Sequence, residues 1–203
     1  MPKTTNEKTA ALVLAAGLSR RFGANKLLAD WHGRPLVTYA VDAACAAPVD
    51  HVIAVTGHEA DKAASAILAH ATRPVRLVQA PHYAEGMATS LRAGIAALEP
   101  DVQAVVVFLG DMPDVPHHVA ANVLKAVLEG APAAAPVLQG RRGHPAAFHA
   151  DLFPALRTLS GDEGAKSVFS GLGEAWMRVP CDDPGVLFDV DRCARDAPRW
   201  YRA

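Results

Sequence analysis

The chain has 203 residues, the size of one folded unit, and 51% are hydrophobic, enough for a sizeable core that is mostly Ala, Val and Leu because only 6% are aromatic. A formal net charge of −1 argues against nucleic-acid or membrane-surface binding by bulk charge, and no apolar run approaches the ~20 residues of a membrane span. Cys45, Cys181 and Cys193 form no C-x-x-C pair, which argues against a disulfide framework or zinc site and makes a reducing cytoplasm the default. Met1 to Lys8 is polar, lacks the apolar stretch of a signal peptide and is expected to be a flexible tail, with 9–203 forming a single domain.

The unbroken apolar run Ala10 to Ala15 predicts a strand buried on both faces, as in a parallel sheet. It breaks into Gly17, Ser19, Arg20, Arg21, Gly23, Asn25 and Lys26. Small residues let backbone N–H groups approach a phosphate chain, and the fixed cations suit it, although the spacing is neither G-x-x-x-x-G-K-[ST] nor G-x-G-x-x-G. The alternative is a strand-to-helix turn with solvated Arg and Lys. Gly33 and Pro35 mark a turn, and Leu36, Tyr39, Ala40, Ala43 and Ala44 recur at helical spacing, with Cys45 as a small core residue beside them. His51 to Gly57 reads as a strand, Glu59 to His70 as an Ala-rich helix and Val75 to Ala80 as a third strand. Pro81 to Thr89 reads as a loop, and Ser90 to Leu98 as a helix capped by Thr89 or Ser90.

Ala104 to Leu109 is the clearest buried strand, and it runs straight into Gly110-Asp111. Open α/β sheets bind ligands beyond the carboxyl ends of their strands. A carboxylate there is costly to bury unpaired, which points to a metal or cationic partner for Asp111. His117 to Glu129 predicts an amphipathic helix, and Ala133 to Leu138 a strand. The basic turn 139–145 is a solvated loop or, at the substrate end, a planar guanidinium fork for a phosphate. Ala150 to Leu159 reads as a helix with Pro154 in its first turn, 161–166 as a loop, Ser167 to Ser170 as helix and Ala175 to Val179 as a short strand. An extended segment, Val186 to Asp191, carries Asp189 and Asp191, of which only one can face a site shared with Asp111, the alternative being that one of them caps a following helix. Strands alternating with helices define an α/β chain with a mostly parallel sheet.

The stretch from Leu14 to Lys26, LAAGLSRRFGANK, resembles the L-A-[AG]-G-x-S-x-R-x-G-x-x-K signature of the MobA-like nucleotidyltransferases. Gly110 to Pro113 resembles the family's GDMP, Arg142 to Pro145 its RGHP, Gly161 to Lys166 its GDxGA[RK], and Gly86 to Leu91 its G-M-[SA]-x-S-[LIV]. RGHP and GDxGA[RK] are typical of the molybdopterin cytidylyltransferase, or MocA-like, branch. The resemblance spans about Ala10 to Asp191, and this chain departs from it after Asp191, where Arg192-Cys193 replaces the usual Thr-Pro. It implies a Rossmann-like three-layer α/β/α sandwich of the nucleotide-diphospho-sugar transferase type, with one late strand antiparallel.

The resemblance further implies cytidylyl transfer from CTP to the terminal phosphate of a molybdopterin cofactor, with Mg²⁺, or Mn²⁺ in its place, and release of pyrophosphate. Leu14, Ala15, Ala16 and Gly17 would contact the base. Arg21 and Lys26, with Arg20 beside them, would hold the triphosphate. Gly86 and Ser90 would hold part of the ligand at a helix N-terminus, and Arg142, His144 and Lys166 would serve the acceptor. Asp111, with Asp189 or Asp191, would hold the metal. Ala16 carries the choice of base, since LAAG goes with cytidylyl and LAGG with guanylyl transfer. The alternatives are a guanylyltransferase, a relative acting on a sugar or isoprenoid phosphate, and a nucleotide-binding regulator or adaptor without catalysis. The implied partners are small molecules, with transient contact to a molybdoenzyme or its maturation chaperone.

Overall fold

Strand β1 (Lys8–Ala15) is buried along nearly its whole length, as the apolar run predicts. The protein is described here by a computed structural model, which covers residues 7–19, 22, 24–162 and 164–190. After β1 come a small hairpin of β2 (Asp30–Trp31) and β3 (Arg34–Pro35), then α1 (Val37–Ala46), β4 (His51–Thr56), α2 (Ala60–His70) and β5 (Val75–Gln79). The middle of the chain forms α3 (Met87–Ala96), β6 (Val102–Leu109), α4 (His117–Leu128), β7 (Ala133–Leu138), β8 (Arg141–Arg142) and β9 (Ala146–His149). It continues with α5 (Phe153–Arg157), α6 (Lys166–Leu172) and β10 (Met177–Pro180).

The main sheet runs β10-β7-β9-β6-β1-β4-β5, with β8 paired to β7. β1 lies parallel to β4 and β6, β4 to β5, and β7 to β10, whereas β9 is antiparallel to both β6 and β7. The sheet is therefore mixed and mostly parallel. Side chains alternate across a strand, so β1 feeds two cores. Ala11, Val13 and Ala15 pack with Val37, Val41, Phe108, Val119 and Val123 on the face of α1 and α4. Ala10, Leu12 and Leu14 pack with Leu91, Ile95, Phe153, Leu156 and Phe169 on the face of α3, α5 and α6. Cys45 is a buried core residue of the first cluster. Among the described residues no helix is long and apolar enough to cross a membrane.

Several boundaries differ from the sequence reading. Helix α3 begins at Met87, not Ser90, and its N-cap is Gly86 with no side-chain hydrogen bond. The Thr89 hydroxyl instead donates back to the carbonyls of His82 and Gly86, both at 2.8 Å. The basic turn is a tight hairpin, with Gln139 (φ 49°) and Gly140 (φ 77°) at its tip. The helix expected over 150–159 is a 3-10 turn, Ala150–Leu152, followed by the short α5 with Pro154 in its first turn. A 3-10 turn, Pro184–Leu187, overlaps the start of the extended segment expected from Val186, and Phe188 just beyond it is extended.

Candidate active site

The carboxyl ends of β1 and β6 meet around a cleft of about 480 Å³. Leu14 and Ala16 floor it, Gly17, Ser19 and Lys26 come from the loop after β1, and Asp111 from the turn after β6. The two strand ends are tied together, since Gly110 N donates to Leu14 O at 3.0 Å. The first loop is braced from within. Lys26 N donates to the Ser19 hydroxyl (3.1 Å), and the buried Asn25 side chain accepts from Leu27 N while donating to His58 O (3.2 Å each). Gly17 is exposed, and a Cβ there would meet no atom within 4 Å, so its outer side is open to a ligand rather than filled by protein.

Charge converges at the mouth of β6. The Lys26 ammonium lies 2.7 Å from Asp111 Oδ2, with only 15% and 21% of the two side chains exposed. Lys26 is thus not a solvated loop residue. Asp189 lines the same cleft, and its segment is held to the turn after β6 because Val190 N donates to Asp111 O at 3.0 Å. Asp162 adds a third carboxylate to the lining. Among the described residues no three His, Cys, Asp or Glu side chains are grouped closely enough to cage a metal. Carboxylate oxygens such as those of Asp111 and Asp189 nonetheless suit a hard divalent ion that keeps waters and takes one or two protein ligands.

The other expected residues fall as follows. Gly86 and Ser90 line the cleft at the start of α3, whereas Ala15 is packed into the core beneath it. Arg142, His144 and Lys166 are not part of this lining. The Arg142 guanidinium lies 4.1 Å above the Phe169 ring, so the RGHP hairpin is docked on α6, the helix that Lys166 begins. His144 N donates to Val186 O at 2.9 Å, which seats the hairpin against the segment leading to Asp189. Burial pushes the His144 imidazole down from 6.5 to about 4; the Arg142 charge adds to this and the Asp111 charge opposes it. Burial also lowers the Arg142 pKa. Arg20, Arg21 and Asp191 lie outside the described residues.

Sequence reasoning passed over Asp162, Phe22, Tyr83 and Met87, all of which line the cleft. Asp162 and Met87 stand inside the GDxGA[RK] and G-M-[SA]-x-S-[LIV] matches, whose other residues carry the expected roles. Phe22 and Tyr83 carry no local sign, because an apolar residue beside a loop reads the same whether it faces core or ligand.

The fold is that of the nucleotide-diphospho-sugar transferases. The 4-diphosphocytidyl-2C-methyl-D-erythritol synthase of Anaerococcus prevotii aligns with 94% of this chain and 92% of its own at a TM-score of 0.73, with 14% identity, a likeness of fold alone. Within that class the chain belongs to the MobA-like NTP transferase domain family, which it matches over residues 11–186. It is similar to nicotine blue oxidoreductase of Paenarthrobacter nicotinovorans, 31% identical over 89% of this chain and 90% of the relative. It is also similar to Rv0371c of Mycobacterium tuberculosis, with 29% identity, a TM-score of 0.77 and coverage of 93% of this chain and 95% of that one. Rv0371c has also been solved in complex with manganese; that structure has 25% identity and a TM-score of 0.70 over 87% of this chain and 89% of its own.

Proposed function

We propose that this NTP transferase moves a cytidylyl group from CTP to the terminal phosphate of a molybdopterin-type cofactor. The observation that carries the reading is the Lys26–Asp111 pair, one cation and one carboxylate 2.7 Å apart at the mouth of a cleft floored by Ala16. An oxygen of the acceptor phosphate bonds to the α-phosphorus of CTP as that phosphorus loses its bond to the bridging oxygen of the departing pyrophosphate. The chain needs no nucleophile of its own, because positioning and charge neutralisation account for most of such a reaction. Lys26 holds the triphosphate together with Arg21. Asp111, with Asp189 or Asp191, would hold a divalent ion, Mg²⁺ or Mn²⁺, which supplies neutralisation of the phosphate oxygens. With nucleotide bound, Lys26 would face phosphate, and the Asp111 carboxylate, which phosphate alone would repel, would be compensated by the divalent ion it holds. Arg142, His144 and Lys166 serve the acceptor from the hairpin and α6.

The RGHP and GDEGAK segments favour a molybdopterin acceptor over a sugar or isoprenoid phosphate, and Ala16 favours CTP over GTP. The second reading is a nucleotide-binding regulator or adaptor without transferase activity. One experiment separates these. The protein is incubated with Mg²⁺ and each NTP, with and without molybdopterin cofactor, and pyrophosphate is measured. Release with CTP only when acceptor is present is expected. Release with GTP alone among the nucleotides makes it a guanylyltransferase. Bound nucleotide with no pyrophosphate under any condition makes it an adaptor.

A further inference from the structure

Strand β4 ends at Thr56, and the corner that follows, Gly57-His58, grips the loop after β1 at two points. His58 N donates to Ala16 O at 3.4 Å, and Asn25 Nδ2 donates to His58 O at 3.2 Å. Gly57 is buried at this corner and is not among the residues of positive φ, so its backbone conformation does not demand glycine. Space does. A Cβ on Gly57 would lie 2.6 Å from Tyr83 Cγ, 2.7 Å from Tyr83 Cβ and 2.8 Å from Ala16 Cβ. The Tyr83 ring and the Ala16 methyl therefore close on one point from two sides. Both residues line the cleft. Behind it, Tyr83 packs on the apolar cluster under α3, and its ring centroid is 6.3 Å from that of His58.

We propose that Tyr83 is a specificity-determining residue: its ring, seated on Gly57 against Ala16, is the second wall that confines the base to a single ring. The inference rests on the reading of this cleft as a CTP site and adds to it the partner through which Ala16 acts. A purine carries a second fused ring, and an aromatic wall fixed by packing yields to it only at a cost in contacts elsewhere. Removing the Ala16 methyl alone leaves the Tyr83 ring in place and able to settle into the space. Removing the ring alone leaves the methyl. The two changes should therefore be coupled, as residues sharing one contact are.

The test is the affinity for CTP and GTP, each with Mg²⁺, measured by calorimetry on wild type, Tyr83→Ala, Tyr83→Phe, Ala16→Gly and the Tyr83→Ala/Ala16→Gly double variant. Wild type should prefer CTP. Tyr83→Ala should lower the CTP-to-GTP preference about tenfold, in the range for a change of pocket size. Tyr83→Phe, which keeps the ring, should retain the wild-type ratio. The double variant should lose more preference than the product of the two single effects. A Tyr83→Ala variant that weakens both nucleotides equally overturns the inference, because the ring then only supports the fold or offers an unselective stacking face. Equal behaviour of Tyr83→Phe and Tyr83→Ala overturns it too, by assigning the effect to the hydroxyl. A wild type that prefers GTP overturns the cytidylyl reading and the inference together, because a wall that confines the base to a single ring cannot leave a purine the better ligand; with a wild type that prefers CTP, less than about a threefold change in ratio on Tyr83→Ala rejects the role of Tyr83 alone. Binding of neither nucleotide by wild type overturns both.

Discussion

Lys26 and Asp111 are paired at 2.7 Å, and that pairing sets what each substitution should do. Asp111→Asn keeps the shape and hydrogen-bonding reach of the side chain but removes its charge. Turnover that depends on Mg²⁺ should fall by at least about a hundredfold, the scale seen when one group that stabilises developing charge is lost. The protein should stay folded, destabilised by about 1–2 kcal/mol because the largely buried Lys26 ammonium loses one charged partner. Initial rates at limiting Mg²⁺ and a urea titration check the two halves, and activity within a few-fold of wild type would place the metal elsewhere. Lys26→Ala should weaken CTP binding and turnover on a similar scale. Its stability cost should also resemble that of Asp111→Asn, larger than the ~0.5 kcal/mol of an exposed loop lysine, since the stranded carboxylate is now the unpaired charge. Unchanged CTP affinity in a folded Lys26→Ala protein would reject its phosphate role.

The long elements could be read from the sequence because their periodicity is local. β1, α1, β4, α2, β6, α4 and β7 all appear within a residue or two of where apolar spacing places them. The failures share a different physics. The start of α3 is fixed by Gly86 (φ 124°), against which the loop 161–162 is packed from far along the chain, so no local cap could reveal it. Strand β9 is only Ala146–His149, too short for a pattern of its own, and exists because β6 and β7 supply hydrogen bonds on both sides. The junction at Gly86 gives a prediction for the element as a whole. A Cβ there would stand 2.5 Å from both Gly161 O and Asp162 Oδ1, in a backbone conformation that side chains rarely adopt. Gly86→Ala should therefore cost about 1–3 kcal/mol, and it should also weaken nucleotide binding by displacing Asp162 and the first turn of α3. Gly161→Ala is the control, since its φ is also positive at 73° but no atom lies within 4 Å of the added carbon. Equal losses of stability in the two variants would mean that conformational strain, not contact between the two segments, is what glycine relieves at position 86.

At the scale of the whole molecule, the cleft gathers the residues expected from the loops after β1 and β6 but not those expected from the later hairpin and α6. Leu14, Ala16, Gly17, Lys26 and Asp111 are brought together because parallel strands deliver their following loops to one edge of the sheet. Arg142, His144 and Lys166 sit on a hairpin and a short helix outside the cleft lining, and how far such pieces stand from the floor depends on tertiary docking that spacing does not encode. His144 shows the consequence, half-buried near Arg142 and within range of the Asp111 charge, with its imidazole lowered to about 4. In the unfolded chain the ring takes its proton near the ordinary 6.5, and in the folded protein it resists until about 4. Between those values the unfolded state binds more protons, so stability must rise with pH across that window. The contribution is complete above about pH 6.5, drains as pH falls toward 4 and changes no further below it, amounting to at most about 3 kcal/mol. Urea midpoints measured from pH 8 to pH 4 on wild type and His144→Gln isolate this group, because carboxylates titrate alike in both proteins. Wild type should lose about 1–3 kcal/mol more than the variant across the window. Asp111→Asn should steepen the loss, since the carboxylate now favours the imidazolium and its removal makes protonation harder still. Curves for wild type and His144→Gln that fall in parallel would show that the imidazole is solvated, and with it that the RGHP hairpin does not close against the segment leading to Asp189.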